Sequence, residues 1–306
     1  MGLLVNPYRF GAGGLPSISS QYWRVRVLGA EDAWVDIAEV ELASTIGGTK
    51  LSFNSVLNNG SFTNSGNMID ANNATYGEWH GLNGALNIGP TFNMGSSQVV
   101  KEVRIRVGNT FTSRGPLAIA VDTFDIGTGT YTPVFWGINR TPYTANSLKT
   151  FTLAVIPTTQ ATTPFWSLNV TETNNPGFNG FSEFSVRSSS GGSNLSQGMV
   201  AFASGTVGYI DANYGLPVYA VDGTTNSFYY SSTGAAGVYK TRYQVTHETA
   251  PNPTHFILKA RPSFTADTPK DFTLDYSLDG CLTWTTAKTV TGATGWANSE
   301  VREYAL

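Results

Sequence analysis

Side chains able to do acid–base, nucleophilic or metal chemistry are few in this chain, and they are dispersed. There are three histidines (His80, His247 and His255) and one cysteine, Cys281. A single cysteine excludes an intrachain disulfide framework and any cysteine-based zinc site within one chain. The acidic residues fall singly or as neighbours: Glu31-Asp32, Glu39, Glu41, Asp122, Asp125, Asp267, Asp271 and Asp275. A glycosidase needs two carboxylates facing each other across a cleft, and no such pair is legible. Glu39 and Glu41 share a strand face, which is a common surface pattern. A Gly-x-Ser-x-Gly elbow, a phosphate loop and a His-Glu-x-x-His helix are all missing from the sequence. The chain is therefore expected not to be an enzyme.

Binding chemistry is better represented. Sugar sites use an aromatic face for the ring and planar polar groups for its hydroxyls. Tyr76, Trp79 and His80 form one candidate cluster, and Phe228, Tyr229 and Tyr230 a second. Tyr229 and Tyr230 point to opposite faces of a strand, so at most one of them is buried. Arg104 and Arg106, and likewise Arg24 and Arg26, alternate with apolar residues. That alternation makes them solvent-facing strand residues, with a phosphate-binding face as the alternative.

These residues must be positioned by strands. Short alternating runs dominate, among them Tyr22-Trp23-Arg24-Val25-Arg26-Val27, Val103 to Val107, Leu117 to Val121, Phe256 to Ala260 and Phe272 to Tyr276. Gly, Asn and Pro clusters separate them. An all-β fold follows, with one face of each strand buried. Of the 306 residues only 13% are charged and the formal net charge is −3. That balance argues against a nucleic-acid partner reached through a basic face. No apolar run is long enough for a membrane helix, so no membrane association is expected. The first ten residues lack the basic and apolar regions of a secretory signal.

The chain repeats itself once. Tyr22-Trp23-Arg24-Val25 and Ile37-Ala38-Glu39-Val40 are matched by Phe165-Trp166-Ser167-Leu168 and Phe181-Ser182-Glu183-Phe184. Gly47-Gly48 is matched by Gly191-Gly192, and Asp70-Ala71-Asn72 to Thr75 by Asp222-Gly223-Thr224 to Ser227. The organisation read from this is an N-terminal arm at 1–19, a first domain at 20–157, an extended linker at 158–163 and a second domain at 164–306. Pro7, Gly11, Gly13, Gly14 and Pro16 exclude a helix in the arm. Its Leu4, Val5, Tyr8 and Phe10 are too few to bury one another, so the arm either folds back on the first domain or docks on another subunit, and docking is the expectation.

The landmarks resemble the discoidin family, also called the coagulation factor 5/8 type C or galactose-binding-like fold. The aspartate-glycine-asparagine stretch of that family is echoed by Asp70-Ala71-Asn72 with Trp79 following. Its serine-x-aspartate-glycine hairpin is echoed by Ser277-Leu278-Asp279-Gly280 with Trp284, and has decayed in the first copy to Asp122 through Gly127. The aromatic-arginine-valine and glutamate strands come first here, as in permuted members found in tailed-phage virion proteins. Asn6-Pro7-Tyr8-Arg9-Phe10 is similar to the start of such proteins. The resemblance implies two tandem jelly-roll sandwiches and a structural calcium in each, held by Asp70, Thr75 and Glu39, then by Asp222, Ser227 and Glu183. It also implies a multi-copy virion component of the tail or adsorption apparatus, assembled in the bacterial cytoplasm. Its expected partners are other virion subunits, reached through the arm, and host cell-surface glycans. A capsid decoration protein and a free, extracellular carbohydrate-binding module are the alternatives.

Overall fold

The computed structural model describes residues 15–30, 34–57, 62–80, 89–109, 114–175, 177–203, 214–224, 227–232 and 241–306, with the side chains of Trp34, Trp79, His80, Tyr214, Ser231, Ser232 and Thr241 outside that description. The arm residues Leu4, Val5, Tyr8 and Phe10 also lie outside the described residues. Among those described, the regular structure is strand with short 3-10 turns, and no helix is long and apolar enough to cross a membrane.

The chain divides into two compact units, with the boundary between Ile156 and Pro157. The first carries β1 (Ser19–Ala30), β2 (Trp34–Ile37), β3 (Glu39–Ala43), β4 (Ser55–Leu57), β5 (Gly77–His80), β6 (Thr91–Val99), β7 (Glu102–Arg106), β8 (Pro116–Asp125), β9 (Thr130–Ile138) and β10 (Leu148–Val155). The second carries β11 (Phe165–Thr173), β12 (Phe178–Phe181), β13 (Glu183–Arg187), β14 (Val200–Ala203), β15 (Tyr214–Gly215), β16 (Phe228–Ser232), β17 (Thr241–Thr246), β18 (His255–Lys259), β19 (Pro269–Tyr276), β20 (Thr285–Val290) and β21 (Val301–Ala305).

The fold is all-β, built from several antiparallel sheets, with one short parallel pairing among the described residues, between β15 and β16. Eight strands of the first unit run β3-β7-β10-β9-β8-β1-β6-β4. β10 changes partner midway: Leu148–Thr152 pair with β7, and Leu153–Val155 pair with β9. The sheet therefore curls through β10 into a half-barrel. In the second unit the corresponding strands form separate sheets, β13-β18-β21 and β14-β17-β11-β19-β20. Apart from β15 the strand orders of the two units match one for one, and β2-β5 matches β12-β16. The internal repeat is thus a repeat of topology.

Alternation sends Trp23, Val25 and Val27 into the first core, with Phe92, Ile105, Val121, Phe135 and Phe151. Trp166, Leu168 and Val170 do the same in the second, against Phe184, Val186, Tyr243, Phe256 and Leu274. One expectation fails here. β1 is buried on both faces from Trp23 to Ala30, and β8 from Pro116 to Asp122. Arg24 and Arg26 are consequently not solvent-facing. Both sit on the buried Asp122, Arg24 through Nε at 2.7 Å and Arg26 through Nε at 2.7 Å and Nη2 at 2.9 Å. A carboxylate shared by two guanidiniums lets a sheet bury its polar side, because every charge there has a bonded partner. The second unit keeps the carboxylate in the same register: Arg24 pairs with Asp122, and Ser167 with Asp275. There the guanidinium comes from the neighbouring strand, as Arg242 on Asp275 at 2.6 Å.

The expected linker is not fully extended. Gln160–Thr162 form a 3-10 turn, and the buried Thr163 donates its hydroxyl to the Ser277 carbonyl at 2.5 Å. The hairpin between β19 and β20 is tied by side chains, since Ser277 Oγ donates to Asp279 Oδ1 and accepts the Cys281 N–H, both at 2.8 Å. The first unit closes its β8–β9 hairpin with Asp125, which accepts the Gly127 N–H at 2.8 Å.

Candidate functional site

Each unit places an Asp loop and a strand glutamate as the repeat requires. In the first, the loop follows the 3-10 turn Ser65–Ile69, which packs on β3. Asp70 accepts the Asn72 N–H at 2.8 Å and the Thr75 hydroxyl at 2.7 Å. In the second, Asp222 accepts the Thr224 N–H at 2.8 Å and the Ser227 hydroxyl at 2.5 Å. The residue after each Asp is left-handed: Ala71 at φ 59° and Gly223 at φ 77°. Only glycine adopts that backbone without strain, so the first copy keeps the turn at a cost the second avoids.

The two glutamates differ in their company. Glu39 is buried, and its Oε2 accepts from the Lys50 ammonium at 3.1 Å. Glu183 is 6% exposed, and neither of its carboxylate oxygens makes a hydrogen bond. Burial, with the Asp222 charge nearby, pushes its carboxyl up to about 7. The Gly223 N–H and the Asn194 amide lie towards it and oppose that rise, but neither closes a bond of ordinary geometry. Other buried or half-buried acids are matched to a base, as Glu102 and Glu41 are to Arg104, at 2.5 and 3.2 Å. Among the described residues, Glu183 is the one carboxylate with both oxygens buried and unbonded.

An orphaned carboxylate beside an aspartate and a serine hydroxyl is an all-oxygen donor set, which suits a hard cation such as calcium. Among the described residues no group of three or more His, Cys, Asp and Glu side chains converges, so such an ion would also need carbonyl ligands. In the second unit the donor types suit such an ion, and Glu183 has no hydrogen-bonded partner. In the first, the Lys50 ammonium already meets Glu39.

The aromatic candidates separate in the same way. Tyr229 is fully buried, packing on Phe181 and Tyr243 with ring centroids 5.3 and 5.2 Å away. The alternation of β16 turns it into the core, away from the face of Tyr230. Tyr230 is on the other face, half-buried, stacked on Phe178 at 5.8 Å. Beside it the Arg261 guanidinium lies 4.8 Å from the Tyr230 ring centroid and 4.1 Å from that of Phe228, and bonds Asp267 at 2.6 Å. Phe264, 71% exposed and left-handed at φ 59°, borders the same guanidinium at 5.2 Å. Sequence reasoning missed Phe178, Arg261 and Phe264, which come from two segments far apart in the sequence. Tyr76 is half-buried next to the Asp70 loop, and its carbonyl accepts the Asn67 amide at 3.1 Å. Trp79 and His80 lie on β5. Burial pushes His247 down to about 4, and its Nδ1 lies 3.2 Å from the Leu195 carbonyl. That places a neutral imidazole at the edge of a pocket with Met199 and Pro251.

Compared with protein-family models, curated proteins and solved structures, the chain gives no match.

Proposed function

We propose that the chain is a non-enzymatic structural protein of a tailed-phage virion, made of two discoidin-like jelly-roll sandwiches, with calcium held in the second. The observation that carries this reading is Glu183, at a position the resemblance assigns to a calcium ligand, with Asp222 near enough to raise its carboxyl and itself accepting the Ser227 hydroxyl. Glu183 is buried there with no bonded partner. Calcium would neutralise this carboxylate and tie Asp222 and Ser227 to β13. The strand-for-strand repeat supports two modules of one kind. The half-exposed Tyr230, with Phe178 and Phe264 beside it, supports glycan contact on the second module, because apolar ring faces border planar polar groups there. In this reading the arm, through Leu4, Val5, Tyr8 and Phe10, holds the chain to other virion subunits. Many weak glycan contacts then add through copy number.

Adsorption competition tests the attachment role. Host cells preincubated with the recombinant chain should adsorb fewer phage, and Tyr230→Ala should weaken the block. Absence of any block at saturating protein would refute host attachment and leave a decoration or cement role.

A further inference from the structure

The two glutamates stand in the same place in the repeat, so what faces each of them can be compared directly. Glu39 pairs with Arg106 across β3–β7, and Glu183 with Lys259 across β13–β18. The loops that follow share their backbone bonds at a constant offset. Gly48 N–H donates to the Thr45 carbonyl, and Gly192 N–H to that of Ser189, each at 3.0 Å. Leu51 N–H donates to Leu42 at 2.8 Å, and Leu195 N–H to Val186 at 3.1 Å. Lys50, next to Leu51, is therefore the counterpart of Asn194, next to Leu195. The first copy aims an ammonium at its buried glutamate, 3.1 Å from Oε2. The second aims a neutral amide, and its glutamate stays unbonded.

A buried carboxylate needs a positive partner, and either a lysine or a metal ion can provide one. We propose that Lys50 is a built-in replacement for the metal: its ammonium neutralises Glu39, so the first module takes no calcium and the whole chain binds one ion, through Glu183. This inference rests on the calcium reading of the second module. It also assigns the difference between modules to one residue pair, Lys50 against Asn194. The Lys50 side chain is 31% exposed while that of Glu39 is 4% exposed. Shortening Lys50 thus leaves a solvent-connected space at a buried carboxylate, beside the strand on which the turn before Asp70 packs. Asp70, Thr75 and Glu39 would then offer the same donor types as Asp222, Ser227 and Glu183.

The test is calcium stoichiometry by equilibrium dialysis on the full chain, with melting in calcium and in chelator as the second readout. The wild type should bind one ion, Lys50→Asn two, Glu183→Gln none, and the double variant one. Lys50→Arg should remain at one. Lys50→Asn should also gain a calcium-dependent rise in melting temperature that survives Glu183→Gln. Should Lys50→Asn fold poorly without metal, recovery on adding calcium supports the proposal and failure to recover overturns it; Lys50→Gln, with a longer stem, repeats the comparison. A wild type that binds one ion, with Lys50→Asn also at one, overturns the role of Lys50 and leaves the Glu183 reading standing. A wild type that binds two overturns the role of Lys50 as well. A wild type that binds none overturns both.

Discussion

Glu183→Gln in the metal-free chain is expected to stabilise the fold, and the size of the gain follows from the carboxyl's environment. Its ordinary value of 4.5 rises to about 7 in the folded protein. Each unit is about 1.4 kcal/mol, so the charged form costs roughly 3 kcal/mol at full strength, and about 2 kcal/mol after solvent screening. The sign is that of a raised acid. Between pH 4.5 and 7 the folded state holds a proton that the unfolded state has lost, so stability falls as pH rises through that window. Below 4.5 there is no penalty, and above 7 it is complete. The groups facing Glu183 are Asp222, which raises its carboxyl, and Lys259, which lowers it. Urea denaturation in chelator should show Glu183→Gln about 2 kcal/mol more stable than wild type at pH 8 and equal to it at pH 4. With calcium at a hundredfold over its Kd the wild type gains about 2.7 kcal/mol and the variant nothing, so their order reverses. A variant no more stable than wild type at pH 8 in chelator, or a wild type with the same pH slope as the variant, would refute the reasoning.

Asp122→Asn leaves Arg24 and Arg26 without their shared carboxylate at a fully buried place. It should cost about 3–5 kcal/mol, read by urea denaturation. Asp275→Asn affects one guanidinium, and that Arg242 side chain is 22% exposed, so its loss should be smaller. Ala71→Gly relieves a left-handed backbone and should raise stability by about 1 kcal/mol, whereas Gly223→Ala should lower it, the added Cβ also meeting the Gln197 amide. Phe264→Gly, at an exposed left-handed position, should gain about 1 kcal/mol in the same assay while reducing the block of phage adsorption. A Phe264→Gly variant that loses stability would show that this side chain serves the fold.

The repeat was legible because its landmarks are large or unusual residues: Trp23 and Trp166, the paired glycines, and the Asp loops. The strands followed from alternation. What alternation could not show was that the polar face of β1 and β8 is itself covered. Period two separates two faces without saying which of them meets solvent, so alternation alone makes Arg24 and Arg26 surface residues, whereas the fold sets the buried Asp122 between them. The same limit applied to Tyr229 and Tyr230, where the sequence showed opposite faces and the packing against Phe181 decided which was inside. Lys50 and Asn194 were visible from the start. Their opposition acquires meaning only from the shared backbone bonds, which place both beside equivalent glutamates. The Arg261 cluster draws on Phe178, Phe228, Tyr230 and Phe264, a spread that no local motif marks.

The virion assignment is tested most directly by immunogold labelling of density-purified phage particles from the source lysate, with antibody raised against the recombinant chain. The account expects gold at the tail end of the particles. Gold over the head would contradict the attachment role and make the chain a decoration protein. Unlabelled particles, with the chain free in the supernatant, would contradict the virion assignment itself.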